Sequence, residues 1–166
     1  MPIAFLLLGT NMGNRLQNLQ QAIKKIASHS ETVRVIKSSC VYETAAWGKL
    51  EQDDYLNQAV KIETTLLPEQ LLEVTASVET AMGRTRKKIW EPRIIDIDII
   101  FYNQEIIKGK KLTLPHPHLQ ERRFVLMPLA EIAADFTHPV FKKSVRSLLQ
   151  ECSDPLWVKK YDAVHT

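Results

Sequence analysis

An α+β fold, with an antiparallel sheet carrying helices on one face, follows from three observations. Apolar residues switch between a strand period and a helix period in the order β-α-β-β-α-β. Both helical stretches have recognisable ends, and the apolar opening run is broken by Gly9-Thr10-Asn11, far short of the roughly 20 residues a membrane span requires. The 166 residues include 45% hydrophobic and 25% charged side chains with a net charge of +3, which excludes a disordered chain and suits one domain with one core.

Residues 2–9 form a continuous apolar run ending at a glycine, as expected of a strand buried on both faces. The first helix follows, with Leu16, Leu19, Ile23 and Ile26 on one stripe and Asn14 available as its cap. Val33, Val35 and Ile36 lead through Val41 to Tyr42 as a second strand, and residues 44–54 lose all periodicity and read as a long loop. From Tyr55 to Thr64 the residues alternate, with Leu56, Val60 and Ile62 on one parity and Tyr55, Asn57, Lys61 and Glu63 on the other. The second helix starts at Pro68, carries Leu71, Thr75, Val78 and Met82 as a stripe, and stops at Gly83. Residues 94–102 make the last strand of the set, bounded by Asn103. This order is that of a ferredoxin-like sheet with both helices on one face. A C-terminal extension adds a short extended piece from Leu112 to Pro117, a helix from Phe124 to Ala133 entered near Pro128, and a terminal helix from Ser144 to Cys152.

Cys40 and Cys152 have neither CxxC spacing nor enough company for a zinc site or a disulfide scaffold, so reduced, buried thiols in a cytoplasmic protein are expected. No basic region precedes the opening apolar run, so neither export nor a membrane anchor is expected. The small positive surplus does not call for nucleic acid, which leaves the local distribution of charge as the informative quantity.

Asp96 and Asp98 are the sharpest feature. Side chains at i and i+2 of a strand leave the same face, so the two carboxylates stand together while Ile95, Ile97 and Ile99 pack on the other side. Like charges that close repel unless a cation sits between them, and paired hard oxygen donors beside substrate phosphates are a common way of holding Mg²⁺. The alternative is a solvated strand face with each Asp paired to a lysine. Just upstream, residues 83–93 gather Arg84, Arg86, Lys87, Lys88 and Arg93 around Trp90. Such a segment can clamp polyphosphate, and it also matches a plain basic loop or a nucleic-acid contact with one stacking ring. Its position directly before the acid pair points to a metal–nucleotide substrate. His116 lies between Pro115 and Pro117 and His118 follows Pro117, with no cysteine or third histidine near, which fits a phosphate contact or a structural role better than zinc. The turn from Gly9 to Gly13 lacks the Walker and dinucleotide spacings and reads as an ordinary strand-to-helix connection. Tyr55 and Asn57 share a strand face, where a ring beside an amide suits a heterocycle or is simply part of a sheet.

Taken in order, Gly9-Thr10-Asn11, Thr44 to Gly48, Gln52-Asp53-Asp54-Tyr55-Leu56-Asn57, Gly83-Arg84-x-Arg86, Pro92-Arg93-x-x-Asp96-x-Asp98, Pro115-His116-Pro117 and Glu121-Arg122-x-Phe124-Val125-Leu126 form a specific set. The chain resembles the 6-hydroxymethyl-7,8-dihydropterin pyrophosphokinases of folate biosynthesis over nearly its whole length. The resemblance implies one pyrophosphokinase domain over 1–166, with no second folate enzyme fused to it, that moves the terminal pyrophosphoryl group of ATP to the pterin hydroxymethyl oxygen and releases AMP. It implies two Mg²⁺ ions on Asp96 and Asp98, with Arg84 and Arg86 joining them as catalytic residues on a segment that closes over both substrates. ATP would meet Glu79, Arg84, Arg86, Trp90, Arg93, Ile99, Lys111, Thr113, His116 and Arg122. The pterin would meet Thr44, Ala45, Trp47, Tyr55, Asn57 and Phe124, its ring between the two aromatics Tyr55 and Phe124. A monomer binding neither nucleic acid nor membrane is expected. Two positions depart from the pattern: Ala45-Ala46 stands where many relatives have two prolines, and Pro117 where some have a tyrosine.

Two other functions share parts of this pattern. A palm-like nucleotidyltransferase also presents acids on such a sheet to two metals, but releases pyrophosphate in place of AMP. A ferredoxin-like RNA-binding module would use the basic segment, yet it requires aromatics on the open strands, and an acid pair in that surface would repel phosphate.

Overall fold

The computed structural model describes residues 1–45, 54–83 and 94–162. Strand β1 (Ile3–Thr10) lies inside the sheet, antiparallel to β4 (Tyr55–Thr64) on one side and to β5 (Asp96–Tyr102) on the other. Buried from Ala4 onward, it meets the expectation of a strand covered on both faces. The outer edge of β4 is shared by β2 (Val33–Ser38) and β3 (Tyr42–Thr44). A short strand β8 (Val158–Lys160) then pairs outside β3.

Helices α1 (Arg15–Ala27) and α2 (Pro68–Ala81) cover one face, and their ends are those expected. The Asn14 side chain accepts from the backbone N–H of Gln17 at 3.1 Å. The Gln70 side chain reaches back to the N–H of Leu67 at 2.9 Å, and Gly83 ends α2 with φ +90°. Beneath these helices Leu6, Leu8, Leu19, Ile26, Leu56, Ile62, Leu71, Ile97 and Ile99 form the larger core.

Helices α3 (Arg123–Ala133) and α4 (Val145–Glu151) belong to a second core with Phe5, Leu7, Ala59 and Phe101. The expected picture of helices on one face therefore holds for α1 and α2, while the C-terminal extension covers part of the opposite face. The apolar odd positions of β1 explain why: Phe5 and Leu7 cannot be left to water any more than Leu6 and Leu8. A hairpin, β6 (Ile107–Lys108) and β7 (Thr113–Leu114), lies in the extended stretch before α3.

Four local expectations are corrected. The strand expected over 33–42 is broken into β2 and β3, because Ser38 pairs with Val60 and Tyr42 with Asn57, leaving one extra residue on the outer strand. In the gap, the Ser39 hydroxyl accepts the N–H of Ala59 at 2.9 Å and so stands in for the ladder. The third helix starts at Arg123, and Pro128 lies inside it, so only the one hydrogen bond to the Phe124 carbonyl is lost. Its start is set from far along the chain: Asp154 accepts the Arg123 N–H at 3.1 Å, and the Arg123 guanidinium donates to the carbonyls of Cys152, at 2.8 Å, and of Asp154. The helix over 144–152 is not terminal, since β8 follows it. Both thiols are free, but Cys40 is exposed and Cys152 half-buried, because Cys40 falls in the irregular gap between β2 and β3.

Candidate active site

Sheet register brings the candidate residues together. One row runs across five strands as Lys160, Tyr42, Asn57, Gly9 and Asp96; the next row toward the sheet interior has Ala59, Leu7 and Asp98, and the row beyond on the other side pairs Thr44 with Tyr55. Because Leu7 and Ala59 lie in the second core, these rows share the face on which α3 packs. Where that core ends, the sheet turns polar.

Asn57 and Thr44 are each 3% exposed, and the Asn57 amide nitrogen donates to the Thr44 hydroxyl at 3.1 Å. A cross-strand pair of this kind presents a fixed pattern of donors and acceptors. Gly9 sits between Asn57 and Asp96, and a Cβ there would stand 3.0 Å from Asn57 Oδ1 and 3.8 Å from a Tyr55 ring carbon. The glycine thus keeps the floor of the site flat. Tyr42, in the same row between Asn57 and Lys160, donates its hydroxyl to Glu131 of α3 at 2.6 Å, and its burial pushes the phenol pKa up. Phe124, in the first turn of α3, packs at the margin of the second core with the Arg122 guanidinium 5.9 Å from its ring centre.

The other half of the site follows the outer edge of β5, which among the described residues has a strand on one side only. Two groups attend to that edge. Glu79, 4% exposed on α2, accepts the Ile97 N–H at 2.9 Å, and the His116 N–H donates to the Ile100 carbonyl at 3.0 Å. Asp96 and Asp98 occupy alternate positions facing away from the larger core, as their spacing predicts, and Ile95, Ile97 and Ile99 fill that core. Ile99 is 4% exposed on the core side, so what it can offer a ligand is its main-chain edge. Lys111 is exposed just before β7, and Thr113 is half-buried within it.

His116 joins the acidic and basic parts. Burial, then the charges of Arg122 and His118, push its imidazole from 6.5 down to about 4, while Asp96 pulls it up. Its Nδ1 accepts the His118 N–H at 3.3 Å, so the proton of the neutral ring lies on Nε2, which is left as a donor. In an NMR titration the His116 ring is expected to stay neutral at pH 5.5; a midpoint near 6.5 would show that it is not held this way. The linked stability effect has one sign. Above pH 6.5 the ring is neutral folded or unfolded, and as pH falls from 6.5 toward 4 the unfolded chain gains a proton that the folded chain refuses, so stability declines across that window.

Trp47, Arg84, Arg86, Trp90 and Arg93 lie outside the described residues. Of the remainder, Asp96, Asp98, His116 and Arg122 converge on one edge, while Thr44, Ala45, Tyr55 and Asn57 lie across the sheet from it. Sequence reasoning treated Gly9 as an ordinary turn residue. Its role shows only in register with Asn57 and Asp96, for which the run ending at that glycine was the sole local hint.

The donor set suits Mg²⁺. Both acids are hard oxygen donors on one strand face, and among the described residues no group of three or more His, Cys, Asp or Glu makes a protein cage for an ion. Mg²⁺ is held typically through one or two carboxylates together with substrate phosphates, which is the set offered here.

A sheet with an acid pair and an imidazole donor at one edge, and a buried amide–hydroxyl pair beside a flat floor, defines a ferredoxin-like α+β protein equipped for a polyanion and a second, planar ligand. Over residues 5–134 the chain matches the family model of 7,8-dihydro-6-hydroxymethylpterin-pyrophosphokinase (HPPK). The chain belongs to that family. It is 41% identical over 159 residues to the 2-amino-4-hydroxy-6-hydroxymethyldihydropteridine pyrophosphokinase of Methylorubrum extorquens, covering 96% of this chain and 98% of that one. It is 46% identical over 130 residues to the Bacillus subtilis protein of the same name, covering 78% and 77%. Among solved structures, an HPPK-DHPS crystal structure from Plasmodium falciparum superposes with a TM-score of 0.71 at 19% identity, over 90% of this chain and 44% of that one, a likeness of fold.

Proposed function

We propose that this chain, acting as one domain, transfers the terminal pyrophosphoryl group of ATP to the hydroxymethyl oxygen of 6-hydroxymethyl-7,8-dihydropterin, the activity named in its family, and that the two halves of the site divide the two substrates. One observation carries the division: the acid pair and the Asn57–Thr44 pair share a sheet face, with Gly9 alone between Asn57 and Asp96 in the row that joins them.

On the pterin side, Asn57 and Thr44 read the heterocycle's polar edge, Tyr55 and Phe124 supply flat apolar faces, and Ala45 and Trp47 complete the wall. On the nucleotide side, the His116 Nε2–H and the Arg122 guanidinium donate to phosphate oxygens. Lys111, Thr113 and the main chain at Ile99 serve the sugar and base, with Trp90 and Arg93 beside the nucleotide. Arg84 and Arg86 close the charge clamp over the polyphosphate and shield it from water. Glu79 holds the edge of β5, and with it the register of the acids, while standing near the nucleotide. Asp96 and Asp98 would hold two Mg²⁺ ions, whose chemistry is to neutralise phosphate charge and favour in-line displacement. The hydroxymethyl oxygen bonds to the β-phosphorus as the bond from that phosphorus to the α,β-bridging oxygen breaks. AMP leaves with the bridging oxygen, and the hydroxyl proton is released. Free thiols fit a reducing compartment such as the cytoplasm, the small net charge does not call for nucleic acid, and among the described residues no helix is long and apolar enough to cross a membrane.

The test is incubation with ATP, Mg²⁺ and the reduced pterin, followed by chromatography. AMP and a pterin diphosphate in equal amounts are expected. Release of inorganic pyrophosphate with a nucleotidyl product would overturn the reading in favour of a nucleotidyltransferase.

A further inference from the structure

Arg15 opens α1 and lies on none of the elements that carry the acids or Phe124. Its guanidinium Nη1 donates to the carbonyl of Asp54 at 2.7 Å and to Glu43 Oε2 at 3.2 Å, and its Cζ stands 5.7 Å from the centre of the Tyr161 ring. The Arg15 and Glu43 side chains are 22% and 16% exposed. One cation therefore joins the two ends of the segment between β3 and β4. Glu43 immediately precedes Thr44 and Asp54 immediately precedes Tyr55, so each contact is one residue from a side chain on the pterin half of the site. The contact comes from the back of the sheet, since Glu43 pairs with Leu56, and Leu56 belongs to the larger core. Tyr161, just after β8, extends the brace, its N–H donating to the Val41 carbonyl at 2.8 Å.

The position is one where helix electrostatics alone would not choose arginine. A cation in a helix's first turn opposes the macrodipole, and α1 has no acid there to offset it. The side chain is turned instead onto Glu43 and Asp54. Both bonds leave one nitrogen, Nη1, which is held in place by the rigid guanidinium plane lying over the Tyr161 ring; a lysine ammonium has donors enough for both but no plane to stack there.

We infer that Arg15 is a positioning residue for the pterin half of the site, bracing Thr44 and Tyr55 from behind by joining Glu43 to the Asp54 carbonyl. This rests on the proposed function for the identity of the ligand, and so it is tested by binding and not by turnover. Fluorescence titration would use the oxidised analogue 6-hydroxymethylpterin with saturating α,β-methylene ATP and Mg²⁺, and a separate titration would follow the nucleotide analogue alone. Arg15→Ala is expected to raise the pterin Kd at least fivefold while the nucleotide Kd moves less than twofold. Arg15→Lys should recover only part of the loss. Arg34→Ala removes a more exposed cross-strand pair, Arg34–Glu63 at 2.8 Å, at the far end of β4, and is expected to move neither constant. Glu43→Gln, which keeps the Asp54 contact, should show the same selectivity more weakly and serves if Arg15→Ala does not fold.

Equal loss for both ligands, no loss for either, or the same selective loss in Arg34→Ala would overturn the role of Arg15. A wild-type chain that binds the pterin but forms no AMP would instead overturn the catalytic reading and leave the positioning role to stand on the Kd ratio. A wild type that binds no pterin would overturn both.

Discussion

Asp96→Ala and Asp98→Ala are each expected to lower kcat at least about a thousandfold, the largest functional loss of any substitution in the described residues. Such a factor corresponds to roughly 4 kcal/mol of transition-state stabilisation, within the several kcal/mol a bound cation supplies to a phosphoryl group. Neither acid is replaceable by its neighbour, because their places on β5 differ: Asp96 is in register with Gly9 and Asp98 with Leu7. The fold should survive. The two side chains lie on the half-exposed face of the strand, and removing one of two adjacent like charges relieves repulsion. AMP formation under saturating ATP and pterin, together with a thermal melt, checks the claim. Activity within tenfold of wild type in either variant, with an unaltered melt, would refute the assignment of the acid pair.

Gly9→Val should cripple the other half of the site. The new Cβ would approach Asn57 Oδ1 to 3.0 Å, and the branched methyls would add bulk beside the Tyr55 ring. Asn57 has little freedom to retreat, being 3% exposed and joined to Thr44 at 3.1 Å. Overpacking of this kind costs typically 1–3 kcal/mol. The pterin KM is expected to rise at least tenfold, with the ATP KM changed much less, because the clash is on the Asn57 side. Gly13→Ala is the matching control. It has nothing within 4 Å of its added Cβ but a φ of +70°, so strain should lower stability without touching either KM. A Gly9→Val protein that keeps wild-type pterin kinetics would show that the row through Asn57 does not face the pterin.

Local patterns were enough for β1, α1, α2, β4 and β5, since each depends on side-chain period and end residues that neighbours in the chain supply. The same holds for the acid pair, because strand geometry places i and i+2 on one face whatever the partner strand. The position of His116 beside Asp96 and Arg122, and the state of its ring, could not be read that way: they depend on the segment after β7 folding back along the edge of β5.

Short-range physics in this chain therefore determined the helix or strand character of β1, α1, β4, α2 and β5, which of their faces are apolar, and that two carboxylates stand side by side. Tertiary structure alone decided the break between β2 and β3, the start of α3 five residues before Pro128, the second core on the opposite face, and the place of β8. Those features are set by ladder register, by a distant Asp154 on a helix end, and by apolar positions that need partners from another part of the chain. Pair energies between residues far apart in sequence leave no mark on either residue's local pattern, which is why Gly9 and Arg15 became informative only once the sheet was assembled.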